Sequence, residues 1–233
     1  QAEDGIRDCL LSRGLGDVYK RQKQLIVLGE IMAAILSNLR NTIIAGLVLT
    51  VIMVIVVSQT PGADKFAIDH SYAAFFLRWL HVLSGVMWIG LLWYLNFVQI
   101  PNMPNIPDDQ KPAISKVIAP AVLFWFRWGA MATIITGLLL AWINGYLVGA
   151  IQLGLADGVA KHTAIGIGMW LGAIMWFNVW FVIWPNQKKA LGIVEADADT
   201  KAASARTAML FSRTNTLLSI PMLYAMVVAQ NLY

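Results

Sequence analysis

Long apolar stretches recur along this chain and alternate with short polar segments. Four of them carry very few charges and a fifth is a little more polar; they cover Thr42–Ser58, Ala73–Ile100, Ala119–Ile143, Thr163–Trp184 and Met209–Ala229. As a helix, each is long enough to cross the roughly 30 Å hydrocarbon core of a bilayer. The pattern therefore predicts an all-α integral membrane protein, a bundle of about five transmembrane helices.

Composition supports this class and narrows the functions. Of the 233 residues, 58% are apolar and only 13% are charged, whereas soluble domains carry about 25% charged residues. None of the five apolar stretches contains Asp or Glu. Ion-coupled carriers usually need a carboxylate inside the membrane, so this absence disfavours a transporter.

The first residues of the chain do not share the apolar pattern. Cys9–Gln22 is polar and aperiodic and resembles translated linker sequence, and the codons for Gly29 and Glu30 can encode a ribosome-binding site ahead of Met32. We therefore expect residues 1–31 to be a non-native leader and residues 32–233 to form the transmembrane domain. A disordered cytoplasmic tail is the alternative. Cys9 is the only cysteine, so no Cys-x-x-Cys-His motif exists and a c-type haem is excluded.

Basic residues predict how the helices are oriented. Within residues 32–233, five crossings would leave nine Lys and Arg residues on the side of the amino terminus and three on the other side. Because basic residues accumulate in cytoplasmic loops, we expect the amino terminus inside and the carboxyl terminus outside. The net charge of +4 is explained by this bias, so it gives no reason to expect a nucleic-acid partner.

Two of the apolar stretches contain a related motif. WIGLLWYLN (88–96) aligns with WLGAIMWFN (170–178), and a histidine followed four residues later by a glycine precedes each copy. We expect the second and fourth helices to be an internal repeat, with a site at their interface. One crossing separates these helices, so they would run parallel and place both histidines in the outer half of the membrane.

The two histidines, His81 and His162, are the candidate cofactor ligands. Neutral imidazole binds haem iron, and two histidines from different helices would give a six-coordinate b-type haem. Gly85 and Gly166, one turn from each ligand, would leave room for the porphyrin, and Arg78 could pair with a propionate. The alternative is that each histidine simply bonds a helix-end carbonyl or lies at the head-group level.

A second polar group is expected at the cytoplasmic ends of the helices. In a bundle its members would lie at one depth: Asn102, Arg127, Asn186, Gln187, Arg213 and Asn215. Two arginines with amides and nearby tryptophans could bind a flat anionic heterocycle by charge, hydrogen bonds and stacking. The alternative is that these residues are ordinary interfacial anchors.

Three segments together are similar to a known family. RWLHVLSGVMWIG, IMWFNVWFVIWPNQKK and SRTNTLLSIPMLYAM, in this order, resemble the amino-terminal membrane domain of the bacterial membrane-bound urate oxidases, also called urate hydroxylases. The likeness covers most of Arg78–Met226 but is patchy between Pro101 and Leu123 and around Leu147–Lys161. The matching positions are His81, Trp88, Asn96, Asn178, Pro185, Asn186, Gln187, Arg213 and Asn215. The resemblance assigns none of them a catalytic role.

The resemblance implies an oxidoreductase of the bacterial cytoplasmic membrane. Family members oxidise urate to 5-hydroxyisourate and pass electrons to the respiratory chain through an appended cytochrome c domain, which is absent from these residues. The resemblance therefore implies a purine-like small molecule as substrate and a separate cytochrome c or a quinone as acceptor. Two alternatives stay open. One is a haem-binding subunit or assembly factor without its own substrate, and the other is a small-molecule permease.

Overall fold

The computed structural model describes residues 21–61 and 67–233, and all regular structure within them is helical. The chain divides into two compact units, Gln1–Ala67 and Ile68–Tyr233. In the first unit, residues 21–36 are helical and helix α1 spans Leu39–Ser58. The expected leader lies partly outside the described residues, and so does Cys9; residues 21–31 belong to the helical part. The boundary at Met32 stays a prediction.

The second unit contains four long helices and one short one. These are α2 (His70–Asn105), α3 (Lys111–Ile143), α4 (Leu147–Ile151), α5 (Ala160–Ala190) and α6 (Ala198–Asn231). Carboxylates that precede two of the helices explain where they begin. The side chain of Asp69 accepts a hydrogen bond from the backbone N–H of Tyr72, and Asp197 does the same for Thr200, as N-cap residues do.

Four helices, α1, α2, α3 and α5, are long and apolar enough to cross a membrane. The fifth predicted crossing forms a helix, but α6 is less apolar and is not among the four. Its buried face explains the difference, because it consists mainly of small and polar residues: Ser204, Ala208, Ser212, Asn215, Ser219, Met222, Ala225 and Ala229. The opposite face exposes large apolar side chains such as Leu217, Ile220 and Val227.

Helix α2 packs chiefly along α3, and α5 packs chiefly along α6. Glycine allows the first pair to approach closely: a Cβ atom on Gly129 would lie 3.3 Å from the backbone nitrogen of Trp88. Helices α2, α3, α5 and α6 all contribute to a core around Trp88, Phe126, Met175 and Met222. The direct interface between α2 and α5, which the sequence repeat predicts, is not one of the main helix contacts.

Helix α6 is tied to both repeat-related helices by buried amides. Asn96 Nδ2 donates to Ser212 Oγ at 2.8 Å, and Asn178 Nδ2 donates to Asn215 Oδ1 at 2.9 Å. Both asparagines lie in π-helical turns, Tyr94–Gln99 in α2 and Asn178–Ile183 in α5. The tryptophans that open the two motifs differ, however: Trp88 is buried, whereas Trp170 is half exposed. The duplication itself therefore stays a prediction.

Candidate functional site

His81 lies against α3 near the beginning of α2. Its Nδ1 is 2.9 Å from the carbonyl oxygen of Thr133 and 3.3 Å from Thr136 Oγ1. A carbonyl oxygen only accepts, so Nδ1 carries the proton, and Nε2 of the neutral ring keeps its lone pair. Nε2 makes no hydrogen bond to the described residues. The ring fits against Gly137, where a Cβ atom would lie 2.8 Å from His81 Cε1.

His162 has a similar environment at the beginning of α5. Its Nδ1 is 2.5 Å from Asp157 Oδ2, and the carboxylate again makes Nδ1 the protonated nitrogen and leaves Nε2 free. Tyr146 stacks on the ring with centroids 6.2 Å apart and an interplanar angle of 29°. A Cβ atom on Gly149 would lie 2.6 Å from His162 Nδ1. Both rings are therefore held through Nδ1 and seated on a glycine of another segment.

Two titratable side chains beside His162, Asp157 and Tyr146, lie outside the long helices. The backbone N–H of Val159, and then the hydrogen bond from His162, hold the pKa of Asp157 below its usual range. Burial raises the pKa of Tyr146, and the positive charge of Arg78 partly opposes this effect. Arg78 thus acts on the side chain that stacks on His162. We call Arg78, His81, Tyr146, Asp157 and His162 the histidine cluster.

The two predicted ligand glycines have different surroundings. A Cβ atom on Gly85 would meet nothing within 4 Å, whereas one on Gly166 would collide with the carbonyl oxygen of Ala150. The space at Gly166 is therefore filled by α4. The described residues contain no group of three or more His, Cys, Asp or Glu side chains that could hold a metal ion. The donors in the histidine cluster suit a haem, which needs only imidazole ligands. Its coordination by His81 and His162 stays a prediction.

Arg127 is the centre of a second cluster, at the other end of the bundle. Its Cζ lies 3.2 Å from the centroid of the Trp184 ring and 6.0 Å from that of Trp180. Such stacking is typical of the planar guanidinium. Trp184 follows His162 by 22 positions in α5, which corresponds to roughly 30 Å along a helix axis. The two clusters are therefore separated by about the thickness of a bilayer core.

Arg127, its neighbour Trp180 and two further residues of α5 are among those with buried polar atoms that have no hydrogen-bond partner within the part of the chain that the structure describes. Among the described residues these unpaired atoms are the N–H groups of Trp88, Trp176, Trp180 and Arg127 (Nε and Nη1), and the amide oxygens of Asn96, Gln99 and Gln187. Buried polar groups are normally paired, so each unpaired one calls for an explanation such as a bound molecule. We call Arg127, Trp176, Trp180, Trp184 and Gln187 the arginine–tryptophan cluster.

Only part of the predicted substrate set belongs to this cluster. Arg127 stacks on Trp184, and Gln187 follows Trp184 by one turn on the same helix. Asn186 donates to the carbonyl of Val182 in its own helix, and Arg213 is exposed on α6. Asn215 is fully buried, and both ends of its amide are hydrogen-bonded within the core. The sequence prediction grouped these residues because they lie at a similar depth along their helices. In the structure they lie on different helix faces, so they do not all meet.

Comparison with known proteins bears on the second half of the chain. Residues 150–231 match the family model of the urate oxidase N-terminal domain. The match confirms the resemblance over that segment, about a third of the chain, and includes most of the patchy stretch around Leu147–Lys161. No curated protein and no solved structure matches the chain.

The segment matched to the urate oxidase N-terminal domain contains two of the five residues of the histidine cluster and four of the five residues of the arginine–tryptophan cluster. It includes Asp157 and His162 from the histidine cluster, and Trp176, Trp180, Trp184 and Gln187 from the arginine–tryptophan cluster. Arg78, His81, Tyr146 and Arg127 lie outside it. The family match therefore covers the cluster residues at both ends of α5. The participation of residues from α2 and α3 is known only from the structure.

Sequence reasoning named neither Tyr146 nor Asp157, and it mentioned the three tryptophans of the second cluster only collectively. Asp157 and Tyr146 lie in segments predicted as loops, and the chain folds back there through glycines with positive φ, Gly145, Gly154 and Gly158. The available signal for Asp157 was a carboxylate close to His162 in sequence. Trp180 was within reach too, because it precedes Trp184 by one helical turn.

Proposed function

We propose that this chain is the membrane-embedded part of an oxidoreductase of the urate hydroxylase type. It would lie in the bacterial cytoplasmic membrane with its amino terminus inside. The apolar outward face of α6, opposite a buried face of small residues, supports the membrane location, because this arrangement is common in membrane bundles. The family match of residues 150–231 supports a urate-related role.

The arginine–tryptophan cluster is the proposed substrate site. Urate is a flat anion whose carbonyl oxygens need donors and whose ring N–H groups need acceptors. The unpaired N–H groups of Arg127, Trp176 and Trp180 supply donors, and the amide oxygen of Gln187 supplies an acceptor. The stacked pair of Arg127 and Trp184 adds positive charge and a planar surface. This set of unpaired groups is the observation that carries the proposal.

The histidine cluster is the proposed cofactor site. His81 and His162 would hold a b-type haem through Nε2, and the haem would supply one-electron redox chemistry toward a separate cytochrome c or quinone. Thr133 and Asp157 orient the two imidazoles by accepting from Nδ1. Arg78 contributes positive charge beside Tyr146, where an anionic propionate would be stabilised.

Urate binding to the detergent-purified chain tests the substrate site. We expect Arg127→Leu to weaken binding at least tenfold, and Arg127→Lys to do nearly the same because an ammonium group cannot replace a stacked, planar guanidinium. Arg206→Leu, an exposed arginine on α6, is the matched control. Unchanged affinity in Arg127→Leu, or a larger loss in Arg213→Leu, would show that the site lies elsewhere.

The free Nε2 atoms also favour a second candidate, a haem-binding subunit without its own substrate. A reduced-minus-oxidised visible spectrum, recorded before and after anaerobic addition of urate, separates the two functions. Haem bands that appear with urate support the oxidoreductase. Bands that appear only with dithionite support the second candidate, and a complete lack of bands contradicts haem binding in both.

A further inference from the structure

We infer that Asp157 is a positioning residue for His162: it holds Nε2 as the ligating nitrogen and makes His162 the stronger donor of the two imidazoles. This inference rests on the proposed haem at His81 and His162. Neither the family match nor the sequence motifs assign a role to Asp157. The inference states that His81 and His162 differ as ligands, whereas the sequence repeat alone would predict that they are equivalent.

The carboxylate of Asp157 is itself fixed in place. Its Oδ2 accepts from His162 Nδ1, and its Oδ1 accepts from the backbone N–H of Val159 at 3.1 Å. Both oxygens are therefore used, so the carboxylate cannot rotate without breaking one of these bonds. Gly149 closes the opposite side, since a Cβ atom there would lie 2.7 Å from Asp157 Oδ2. The pair of Asp157 and His162 is thus held by two segments.

His81 provides an internal comparison. Its Nδ1 donates to the neutral carbonyl of Thr133, whereas that of His162 donates to a carboxylate. A carboxylate draws the Nδ1 proton more strongly than a carbonyl does, and this leaves more electron density on Nε2. A more electron-rich ligand stabilises the oxidised iron relative to the reduced iron. Loss of the negative charge should therefore favour the reduced form.

The test is a haemin titration of the detergent-purified full chain. We compare the unaltered protein with Asp157→Asn, Asp157→Glu and a control, Asp108→Asn. Asp108 suits the comparison because it is also a paired carboxylate, bonded to Lys111 at 2.6 Å, between α2 and α3 and thus at the end of the bundle away from the histidines. Three quantities are measured: haem affinity, the ratio of reduced to oxidised haem at one poised potential, and the melting temperature of the haem-free protein.

We expect Asp157→Asn, which removes the negative charge, to lower haem affinity about 10- to 100-fold, as mutation of a ligand's hydrogen-bond partner typically does. The ratio of reduced to oxidised haem should rise several-fold. Asp157→Glu keeps the carboxylate, so it should change haem affinity and the ratio of reduced to oxidised haem less than Asp157→Asn does. Asp108→Asn should behave like the unaltered protein. A purely structural role would lower the melting temperature and leave the ratio unchanged.

Three results would overturn the inference: an unchanged ratio in Asp157→Asn, an equal change in Asp108→Asn, or failure of the unaltered protein to bind haemin. Urate binding to the Arg127 variants is measured on the same preparations. If Arg127 governs urate affinity while Asp157 leaves the haem unaffected, only the inference fails. If Asp157 alters the haem while Arg127 has no effect on urate, the proposed substrate site fails instead.

Discussion

The hydrogen bond between the side-chain amides of Asn178 and Asn215 gives the sharpest test of how α6 is held. Asn215 is completely buried; its Oδ1 accepts from Asn178 Nδ2, and its Nδ2 donates to the carbonyl of Met175 at 2.9 Å. Asn215→Leu keeps much of the volume but leaves the Asn178 amide without its partner. A buried unpaired group costs about 1–3 kcal/mol, and interhelical hydrogen bonds in membrane proteins average about 0.6 kcal/mol.

We therefore expect Asn215→Leu to lower the free energy of unfolding by about 1–3 kcal/mol. Asn178→Leu should cost a similar amount. The double variant should cost less than the sum of the two, by about 1 kcal/mol, because replacing both partners leaves no orphaned group. The measurement is unfolding of the detergent-purified protein by SDS, followed by tryptophan fluorescence.

Asn144→Leu is the matched control. Its Nδ2 bonds only the carbonyl of Leu140 in its own helix, so we expect a change within about 0.5 kcal/mol. Strict additivity of Asn178→Leu and Asn215→Leu would refute the argument from pairing. A folded Asn215→Leu variant that has lost urate binding would instead support the substrate role that sequence position predicted for Asn215.

Other expectations concern glycines and pH. Gly149→Ala should destabilise the protein by about 1–3 kcal/mol because its methyl group would collide with His162 and Asp157. Gly172→Ala, which meets nothing within 4 Å, should instead gain up to about 1 kcal/mol from helix propensity; thermal melts of the two variants test this contrast. Asp157 has a lowered pKa, so its contribution is present above the ordinary aspartate range and is lost as pH falls through the lower, folded pKa. In Asp157→Asn, the melting temperature should therefore depend less on pH in this acid range. Tyr146 has a raised pKa, so its contribution is present below the ordinary tyrosine pKa and is lost as pH rises through the folded one. Tyr146→Phe should remove this alkaline loss in the same melts.

The helices were the part most readily predicted from sequence. Long apolar runs define them, and α3 ends at Ile143 as the pattern predicts. Boundaries set by capping were less accessible: α6 begins at Ala198, after the Asp197 cap, because an alanine-rich polar stretch continues the helix without interruption. The predicted number of five crossings depended on whether α6 was counted. The polar residues on the buried face of α6 lower its mean hydropathy but do not prevent it from forming a helix.

The clusters were predicted only as far as depth allowed. Arg127 and Gln187 were assigned to one level, and the structure shows that Trp184, one turn before Gln187, stacks on Arg127. Asn215 lies in the same depth range but faces the core, because hydropathy reports the position of a residue along a helix and not the direction it faces. Asp157 reaches His162 only through the positive-φ turns at Gly154 and Gly158, and no periodicity predicts the path of such a loop.

A π-helical turn lets the helix that contains it face one neighbour before the turn and another neighbour after it. In α5, Asn178 at the start of the turn bonds α6, and Trp184, just after it, stacks on Arg127 of α3. A π turn accommodates one extra residue, and one residue corresponds to a rotation of about 100° in an α-helix. Deleting a single residue between Val179 and Ile183 would therefore rotate Trp184 and Gln187 away from Arg127 while leaving Asn178 on Asn215. The contact of α5 with α6 and its contact with Arg127 are thus set separately within one helix, so an insertion or deletion in the turn can change the second contact without loosening the first.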